Sequence, residues 1–439
     1  MTSNKRAFDM SFQERLQKVI PGGAHTYSRG ADQFPANAPQ ILARGKGAYV
    51  FDDQDRRYLD YGMALRAVNI GYAEEEIDEA AIREIRNGNN LTRPSLIELQ
   101  AAELFTGLID SADMVKFTKN GSTSVSAAVK LARAFTGRDL VARCAEHPFF
   151  SYDDWFIGST PLTKGIPRAV IEQTLQFRFN DTASLQALFD RYPGQIACAV
   201  LEAATNEHPD QGFLQEVQAL CRQRGAVLIL DEMITGFRWH LKGAQHYYGL
   251  RPDLCTFGKA MANGFSVSCV AGRRDIMELG SIEPAGRERM FLLSTTHGAE
   301  MAGMGAFVAT VKYLQREPVV EHLWRYGQEL MDLINGTARE FGVDASLSAA
   351  GVPCSPYYTT LDRTGNPSLE LRTLFAQEMV RQGVLMPWIA LSYRHGQEEL
   401  ELTGRALRAT LEVYRKALDQ GAQAFLQGPP IKPVFRKFN

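Results

Sequence analysis

The sequence predicts an α/β protein with two domains: a large domain, whose mostly parallel mixed sheet lies between helices, and a smaller α+β domain. The length of 439 residues exceeds what one simple hydrophobic core usually holds. Short apolar runs alternate with helical periodicity between residues 115 and 257, which is typical of parallel strands joined by helices. Two carboxylates, Asp231 and Glu232, directly follow the apolar run at 226–230, and ligands of open α/β sheets bind at the carboxyl ends of strands.

The composition excludes several classes of partner. Charged residues make up 22% of the chain and the net charge is −2, so there is no electrostatic case for binding nucleic acid or an anionic membrane. No apolar run approaches the roughly 20 residues that span a bilayer. The first residues, MTSNKRAFDMSFQERL, lack the apolar core of a signal peptide. We therefore expect a cytoplasmic protein without nucleic-acid or membrane partners.

Cysteines and histidines are scattered along the chain. The six cysteines contain no C-x-x-C pair, and three of them lie in apolar strand-like runs. His240 and His246 are six residues apart, which does not align them on one face of a helix. We expect neither disulfides nor a metal site.

The N-terminal part predicts a short helix followed by strands. Residues 11–20 have helical periodicity, and Pro21-Gly22-Gly23 ends that helix ahead of a loop that contains Arg29. Residues 46–61 alternate like a hairpin around the turn at 52–55. The predicted domains are residues 1–70, which join the small domain, 71–305, the large domain, and 306–439, the small C-terminal domain.

A turn of small residues lies between a predicted strand at 115–118 and a predicted helix. The turn contains Gly121 and Ser122, and backbone N–H groups at a helix start favour a phosphate, which glycine lets approach closely. The alternative is an ordinary Ser/Thr helix cap, which needs no ligand.

A carboxylate and a lysine follow two neighbouring predicted strands. Asp231 ends the run at 226–230, and Lys259 comes shortly after a second run at 254–257. Pyridoxal phosphate (PLP) needs a lysine for its Schiff base and a carboxylate that keeps its pyridine nitrogen protonated. Asp231 and Lys259 are the candidates for these roles. The alternative is that Asp231 caps a helix and Lys259 is a solvated loop residue.

The stretches LILDEMITGFR and PDLCTFGKAMANGF closely resemble the signature of class III (fold type I) aminotransferases, particularly the glutamate-1-semialdehyde 2,1-aminomutase-like branch. The resemblance extends from about residue 18 to about residue 400. It implies a fold type I enzyme that uses PLP through a Schiff base with Lys259, with Asp231 at the pyridine nitrogen.

The same resemblance implies roles for further residues. Arg29, which follows Pro-Gly-Gly, would hold a substrate carboxylate. Gly121 and Ser122 would bind the cofactor phosphate. Thr295, with Thr296 as the alternative, would bind that phosphate from the second subunit of a homodimer, so that each active site is shared across the interface.

Three more positions would surround the cofactor ring. Phe149 would stack on the ring, with Phe150 as the alternative, and Met233 would pack on the opposite face. Glu202 would lie near the ring, with Asn206 or Glu207 reaching its hydroxyl or the incoming amine.

The sequence also departs from the family pattern. Tyr72 stands where relatives have histidine, the Tyr-His-Gly triplet is Phe149-Phe150-Ser151, and no proline follows Glu202. We therefore predict an aminotransferase that moves an amino group between an amine donor and a keto or aldehyde acceptor, with an intramolecular aminomutase as the alternative. A nucleotide-binding protein or dehydrogenase is disfavoured because no G-x-G-x-x-G follows a strand. An inactive binding protein of the same fold is disfavoured by the presence of Lys259 and Asp231.

Overall fold

The computed structural model describes residues 10–205, 207–283 and 285–438. The chain divides into two compact units. The small unit comprises Met1–Leu65, Ile70–Ala73 and Leu323–Arg436, and the large unit comprises Arg66–Asn69, Glu74–His322 and Lys437–Asn439. The C-terminal boundary between the two units thus follows residue 322, whereas the sequence predicts a boundary after residue 305. The predicted domain bounds stay a prediction.

The strands of the described residues are β1 (Leu42–Lys46), β2 (Tyr49–Asp52), β3 (Arg57–Asp60), β4 (Met114–Thr118), β5 (Leu140–Cys144), β6 (Thr174–Phe177), β7 (Ile196–Glu202), β8 (Val227–Glu232), β9 (Leu254–Phe257), β10 (Ser268–Gly272), β11 (Leu347–Val352), β12 (Ser355–Thr360) and β13 (Val384–Leu385).

The helices of the same residues are α1 (Phe12–Val19), α2 (Met63–Arg66), α3 (Glu75–Arg86), α4 (Leu96–Leu108), α5 (Gly121–Thr136), α6 (Asp154–Ile157), α7 (Arg168–Ile171), α8 (Thr182–Arg191), α9 (Phe213–Arg224), α10 (Gly243–Tyr247), α11 (Arg274–Met277), α12 (Met301–Arg316), α13 (Val319–Glu340), α14 (Leu369–Arg381) and α15 (Gln397–Gln420). All four residues of α2 have positive φ, so α2 is a single left-handed turn.

A seven-stranded sheet forms the centre of the large unit, in the order β4-β10-β9-β8-β7-β5-β6. The strands from β9 to β6 are parallel, and β10 is antiparallel to both β4 and β9. Every residue of β7 and β8 is buried, as expected for parallel strands with helices on both faces. The predicted mostly parallel mixed sheet between helices is therefore confirmed.

The small unit contains a four-stranded sheet, a hairpin and long helices. Its sheet has the order β1-β2-β3-β13, and β11 pairs with β12. The predicted hairpin forms between β2 and β3, and Asp55 in its turn has a φ of 60°, a left-handed conformation that glycine normally supplies. The predicted N-terminal helix is α1, and the Ser11 side chain caps it.

Tyr72, which stands where the resemblance expects histidine, belongs to the small unit. Its hydroxyl donates a hydrogen bond to Asp60 Oδ2 at 2.7 Å and accepts one from the Ala64 N–H at 2.7 Å. Its ring packs against the small hydrophobic cluster that contains Val50 and Tyr58. Tyr72 thus orders the small unit's own backbone.

Among the helices of the described residues, none is long and apolar enough to cross a bilayer. No disulfide joins the six cysteines, all of which are buried. Within the described residues, no three His, Cys, Asp or Glu side chains are grouped so that they could hold a metal ion.

Candidate active site

Asp231 and the segment that carries Lys259 lie side by side at the carboxyl end of the large unit's sheet. In the parallel pair β8–β9, Asp231 is the partner of Thr256, and Lys259 follows three residues later along the chain. The Asp231 side chain is 1% exposed, and its Oδ1 accepts hydrogen bonds from the Met233 N–H at 2.9 Å and the Thr256 hydroxyl at 3.1 Å. Both bonds fall on Oδ1, which leaves Oδ2 as the oxygen for another donor.

Glu232, the neighbouring carboxylate, has a different role. Consecutive residues of a strand point to opposite faces of the sheet, so Glu232 points away from Asp231. Its Oε2 accepts hydrogen bonds from the Thr235 hydroxyl and from the Ala244 N–H, and its Oε1 accepts one from the Gln245 N–H. These bonds tie the loop after β8 to α10, so Glu232 stabilises the fold on the far face.

Glu202 is a second carboxylate at the carboxyl end of the sheet, beside Asp231. It ends β7 and is the register partner of Asp231, so both side chains lie on one face of the sheet. Glu202 is 2% exposed, and within the described ranges its Oε2 has no hydrogen-bond partner. Burial, together with the charge of Asp231, raises the pKa of Glu202 to about 8. Burial likewise raises the pKa of Asp231 to about 6, against the opposing charge of Lys259.

His147, which the sequence analysis did not single out, supports Glu202. Its Nδ1 accepts a hydrogen bond from the Glu202 N–H at 3.0 Å, so any single ring proton is on Nε2. Burial lowers the pKa of His147 to about 3, which keeps the ring neutral. The sequence signal was the Glu-His-Pro that follows β5, but only the pairing of β5 with β7 shows what the histidine contacts.

Lys259 opens a short 3₁₀ turn, Lys259–Ala262, and has a φ of 45°. Non-glycine residues seldom adopt this left-handed conformation, and such strain is concentrated at functional sites. Burial lowers the pKa of the Lys259 amine, whereas the charges of Glu202 and Asp231 raise it. The lysine and the two acids are therefore electrostatically coupled within one unit.

Met233 lies between the lysine segment and the start of α5. A Cβ atom placed on Gly258 would lie 2.6 Å from Met233 Sδ, and one placed on Gly121 would lie 2.8 Å from the same sulfur. A larger residue at either position would therefore require the Met233 side chain to move. Since Met233 also donates its N–H to Asp231, it connects the acid, the lysine turn and the helix start.

Gly121 and Ser122 lie at the start of a helix, and their role in binding a phosphate stays a prediction. These are the first two residues of α5, and the Asn120 side chain that caps the helix accepts from the Thr123 N–H at 2.9 Å. The cap thus satisfies the third amide and leaves the first two for a ligand. The Ser122 hydroxyl accepts a hydrogen bond from the Tyr152 N–H at 3.1 Å, which attaches the loop that contains Tyr152 to the start of α5.

The two candidate stacking residues differ in exposure. Phe149 is 47% exposed and touches Phe156 edge-on, with ring centroids 5.7 Å apart. Phe150 is 2% exposed and packs between Phe156 and His147. Of these two residues, Phe149 has a ring face that a ligand could reach, whereas Phe150 is a core residue.

Four further predicted site residues are exposed: Thr295, Thr296, Arg29 and Glu207. Thr295 and Thr296 are exposed, and the Gly298 N–H donates to the Thr295 carbonyl at 3.1 Å in a tight turn of the large unit. Arg29 belongs to the small unit, where it ends a 3₁₀ turn, Tyr27–Arg29. Glu207 is exposed, and Asn206 lies outside the described residues.

These groups fit PLP. A buried acid offers a second oxygen to a protonated pyridine nitrogen, and a lysine of lowered pKa follows on the next strand. Two helix-start amides suit a phosphate, and the unpartnered Glu202 Oε2 suits a polar ring substituent.

Replacing Glu202 by glutamine should stabilise the cofactor-free protein, and the gain should grow with pH. Burial raises the pKa of Glu202 from 4.5 to about 8, so between these values the folded state holds a proton that the unfolded chain has released. The wild type's free energy of unfolding therefore falls as pH rises through this window, whereas glutamine has no such proton. We expect an advantage on the order of 3 kcal/mol near pH 8.

Urea denaturation of the cofactor-free protein from about pH 5 to about pH 8 measures this difference. Glu283→Gln, at an exposed position of the large unit, is the matched control and should follow the wild type. A Glu202→Gln advantage that is the same at every pH would show that Glu202 is not protonated in the folded state.

The fold and the site together define a PLP-dependent enzyme of fold type I. Residues 28–351 match the family model of class-III aminotransferases. The chain therefore belongs to the class-III aminotransferase family, whose members transfer amino groups with pyridoxal phosphate.

Comparison with individual proteins supports the same family membership. The chain is 30% identical to the 3-aminobutyryl-CoA aminotransferase of Cloacimonas acidaminovorans (strain Evry) over 94% of this chain and 99% of that protein. The FumI protein of Sphingopyxis sp. MTA144, solved in its PLP internal aldimine form, matches with a TM-score of 0.83 and 26% identity over 96% of this chain and 98% of that one.

A glutamate-1-semialdehyde aminomutase from Pseudomonas aeruginosa PAO1 is similar in fold, with a TM-score of 0.79 and 21% identity over 92% of this chain and 93% of that one. The membership in class III is confirmed, and the chain is an aminotransferase. At this identity the aminomutase structure supports the fold alone.

Proposed function

We propose that the carboxyl rim of the seven-stranded sheet is the active site of this aminotransferase, with Lys259 as its catalytic residue and Asp231 facing the pyridine nitrogen. The observation that carries the proposal is the side-by-side placement of the segment bearing Lys259 and an Asp231 carboxylate whose Oδ2 accepts no hydrogen bond from the described part of the chain. The cofactor supplies an electron sink, which makes loss of a proton from the substrate's amine-bearing carbon feasible.

The protein's own residues bind and orient the cofactor, and they move protons near it. Lys259 Nζ would take the proton from the substrate's amine-bearing carbon and deliver it to the aldehyde-derived carbon of the cofactor. Its lowered pKa favours the first of these transfers, because more of the amine is then neutral and able to accept a proton. Asp231 Oδ2 holds a proton on the pyridine nitrogen. The first amides of α5, at Gly121 and Ser122, bind the phosphate.

The ring would lie between two side chains of the large unit. Phe149 offers its exposed face for stacking, and Met233 would pack against the opposite face. Glu202, whose raised pKa favours the protonated form, would donate a hydrogen bond from its carboxyl group to a polar substituent of the ring.

The proposed substrates are small amines and keto or aldehyde compounds that carry a carboxylate. Arg29 would hold that carboxylate, because a guanidinium donates two parallel hydrogen bonds to it. The curated relative is named for 3-aminobutyryl-CoA, in which the amine lies two carbons from a carboxyl-derived group. We propose short β- or α-amino acids here, in which a free carboxylate takes the place of that carboxyl-derived group.

The second candidate is intramolecular transfer of the kind that a 2,1-aminomutase performs. The Pro-Gly-Gly segment ahead of Arg29 favours placement in the glutamate-1-semialdehyde aminomutase-like branch. Tyr72, the Phe149-Phe150 run and the alanine after Glu202 disfavour that activity.

Dependence on an acceptor distinguishes the two reactions. We expect the purified enzyme to deaminate members of an amine panel only when a keto acid is present, because the amino group must leave with a second substrate. The measurement is product formation by chromatography with and without acceptor. An isomerised product without acceptor would instead establish the mutase.

We further propose a homodimer with shared active sites in the cytoplasm. Thr295 and Thr296 are exposed at a tight turn, and the same irregular segment presents Ile282 and Phe291, 81% and 67% exposed, which suits contact with a second chain. The cytoplasmic location is supported by six buried cysteines without a disulfide.

A further inference from the structure

The loop that carries Phe149 is attached to α5 by a chain of side-chain hydrogen bonds. The Trp155 indole N–H donates to the Ser126 hydroxyl at 2.9 Å. The Ser126 and Ser151 hydroxyl oxygens lie 3.0 Å apart, and the Ser151 hydroxyl donates to the Ser122 carbonyl at 3.4 Å. The loop is therefore bonded to the first two turns of α5.

The donors and acceptors of this chain can be assigned, because an indole N–H can only donate and each serine hydroxyl has one proton. Ser151 gives its proton to the Ser122 carbonyl and accepts a hydrogen bond from the Asp153 N–H at 3.0 Å. Ser126 therefore donates to Ser151 and accepts from Trp155. Since Trp155 is only 6% exposed, loss of the Ser126 hydroxyl would leave a buried donor without this acceptor.

Phe149 lies between the two anchored points of the loop. Ser151 follows it by two residues, and its ring contacts the edge of Phe156, with ring centroids 5.7 Å apart. Phe156 follows Trp155 in α6, so this contact is anchored through Ser126 as well. Because almost half of the Phe149 side chain is exposed, its orientation depends on these neighbours more than on burial.

The same helix carries the proposed phosphate site. Gly121 and Ser122 are its first two residues, and Ser126 follows Ser122 by four residues, on the same side of the helix. Met233 Sδ, proposed for the opposite face of the ring, would lie 2.8 Å from a Cβ atom on Gly121. A loop held against α5 therefore keeps a fixed distance between the Phe149 ring and the phosphate site.

We propose that Ser126 and Ser151 are positioning residues, whose hydroxyl groups hold the Phe149 ring at the distance from the start of α5 that the bound cofactor requires. The inference rests on the proposed function, in which Phe149 stacks on the cofactor ring, and adds the residues that fix this stacking. Ser151 stands where the family pattern has glycine, which has no side chain to hydrogen-bond. The serine chain thus accompanies the replacement of the Tyr-His-Gly triplet by Phe149-Phe150-Ser151.

A double-mutant cycle on PLP binding tests this role. The cofactor-free protein is titrated with PLP, and the visible absorbance gives the apparent dissociation constant. We expect Phe149→Leu to raise this constant about ten-fold and Ser126→Ala to raise it about five-fold. In the Phe149→Leu background, Ser126→Ala should add less than about a two-fold increase, because the hydroxyl acts through the ring. Ser126→Thr, which keeps a hydroxyl, should recover most of the affinity.

The visible circular dichroism of the holoenzyme is a second readout, because it depends on how the cofactor ring is held in its asymmetric surroundings. Ser126→Ala and Ser151→Ala should each change this signal in the same direction as Phe149→Leu. A loss of stability alone would leave the signal of the folded holoenzyme as it is in the wild type.

Thr136→Ala, at the other end of α5, is the matched control. The Thr136 hydroxyl also donates one hydrogen bond, to the Ala132 carbonyl at 2.8 Å, and accepts one, from the Arg138 N–H at 3.3 Å. Its loss should lower the resistance to urea while the PLP constant and the circular dichroism stay at wild-type values.

Two results would overturn the inference. One is a wild-type constant in Ser126→Ala, and the other is a double variant in which the two single effects multiply to about 50-fold, since Ser126 would then act independently of Phe149. A wild-type constant in Phe149→Leu would instead show that Phe149 does not stack on the cofactor. In that case the proposed function of Phe149 would fail, and this inference with it.

Discussion

Lys259→Ala is expected to abolish amino transfer, with turnover at least about 10³-fold below that of the wild type. The reason is that Lys259 is the proposed attachment point of the cofactor and the group that moves the proton at the substrate carbon. The measurement combines turnover with an amine and a keto acid and the visible absorbance of the purified protein. Both should be lost together.

Lys242→Ala is the matched control, because Lys242 pairs with Asp110 at the surface of the same unit, 3.0 Å away. It should keep both the activity and the absorbance. Turnover within about ten-fold of the wild type in Lys259→Ala would remove Lys259 from the chemistry.

The Lys259→Ala variant also tests whether each active site is shared between two subunits. Mixed dimers of Lys259→Ala and Thr295→Ala chains contain one intact site only if Thr295 serves the partner's cofactor. At limiting PLP we expect the mixture to exceed the activity of either variant alone. Activity equal to the average of the two would show that Thr295 acts within its own chain or not at all.

Asp231→Asn should lower kcat by about 10³-fold while the cofactor stays bound. Asparagine can still accept the hydrogen bonds from the Met233 N–H and the Thr256 hydroxyl, so the local geometry is retained. It lacks the charge that keeps the pyridine nitrogen protonated, so proton loss from the substrate carbon becomes slow.

Steady-state kinetics and a PLP titration separate the two effects, because KM and cofactor affinity should change far less than kcat. Asp190→Asn, at an exposed position of the same unit, should behave as the wild type. A wild-type kcat in Asp231→Asn would show that the ring nitrogen needs no carboxylate in this enzyme.

The sequence predicted the sheet and the main chemical groups because they follow buried apolar runs. Strands that are buried on both faces are easily recognised, and the residue after such a strand lies at the ligand-binding edge. For this reason Asp231, Glu202 and the lysine after β9 could be placed at one rim before the structure was known.

The same apolar runs could not show which face each side chain occupies. With both faces buried, Asp231 and Glu232 look equivalent in the sequence, and the structure separates them through the bonds of Glu232 to α10. The choice between Phe149 and Phe150 likewise depended on packing, since Phe150 fills space beside Phe156.

His147 was missed for another reason. Its contact with Glu202 depends on the pairing of β5 with β7, two segments that are distant in sequence. A single sequence contains no periodic or turn signal for such a contact. The boundary between the two units after residue 322 also depends on contacts between segments that are distant in sequence, because α12 packs on α3 and α4 of the large unit.

Two acids and one lysine buried together have a consequence for the life of the protein in a cell. Before loading, the chain must keep a proton on Glu202 or tolerate a buried charge, which weakens the fold. A cofactor that binds only the folded chain reverses this by mass action. Newly made enzyme should therefore be cleared faster by proteases when PLP is scarce, so that the supply of the cofactor sets the enzyme's abundance as well as its activity.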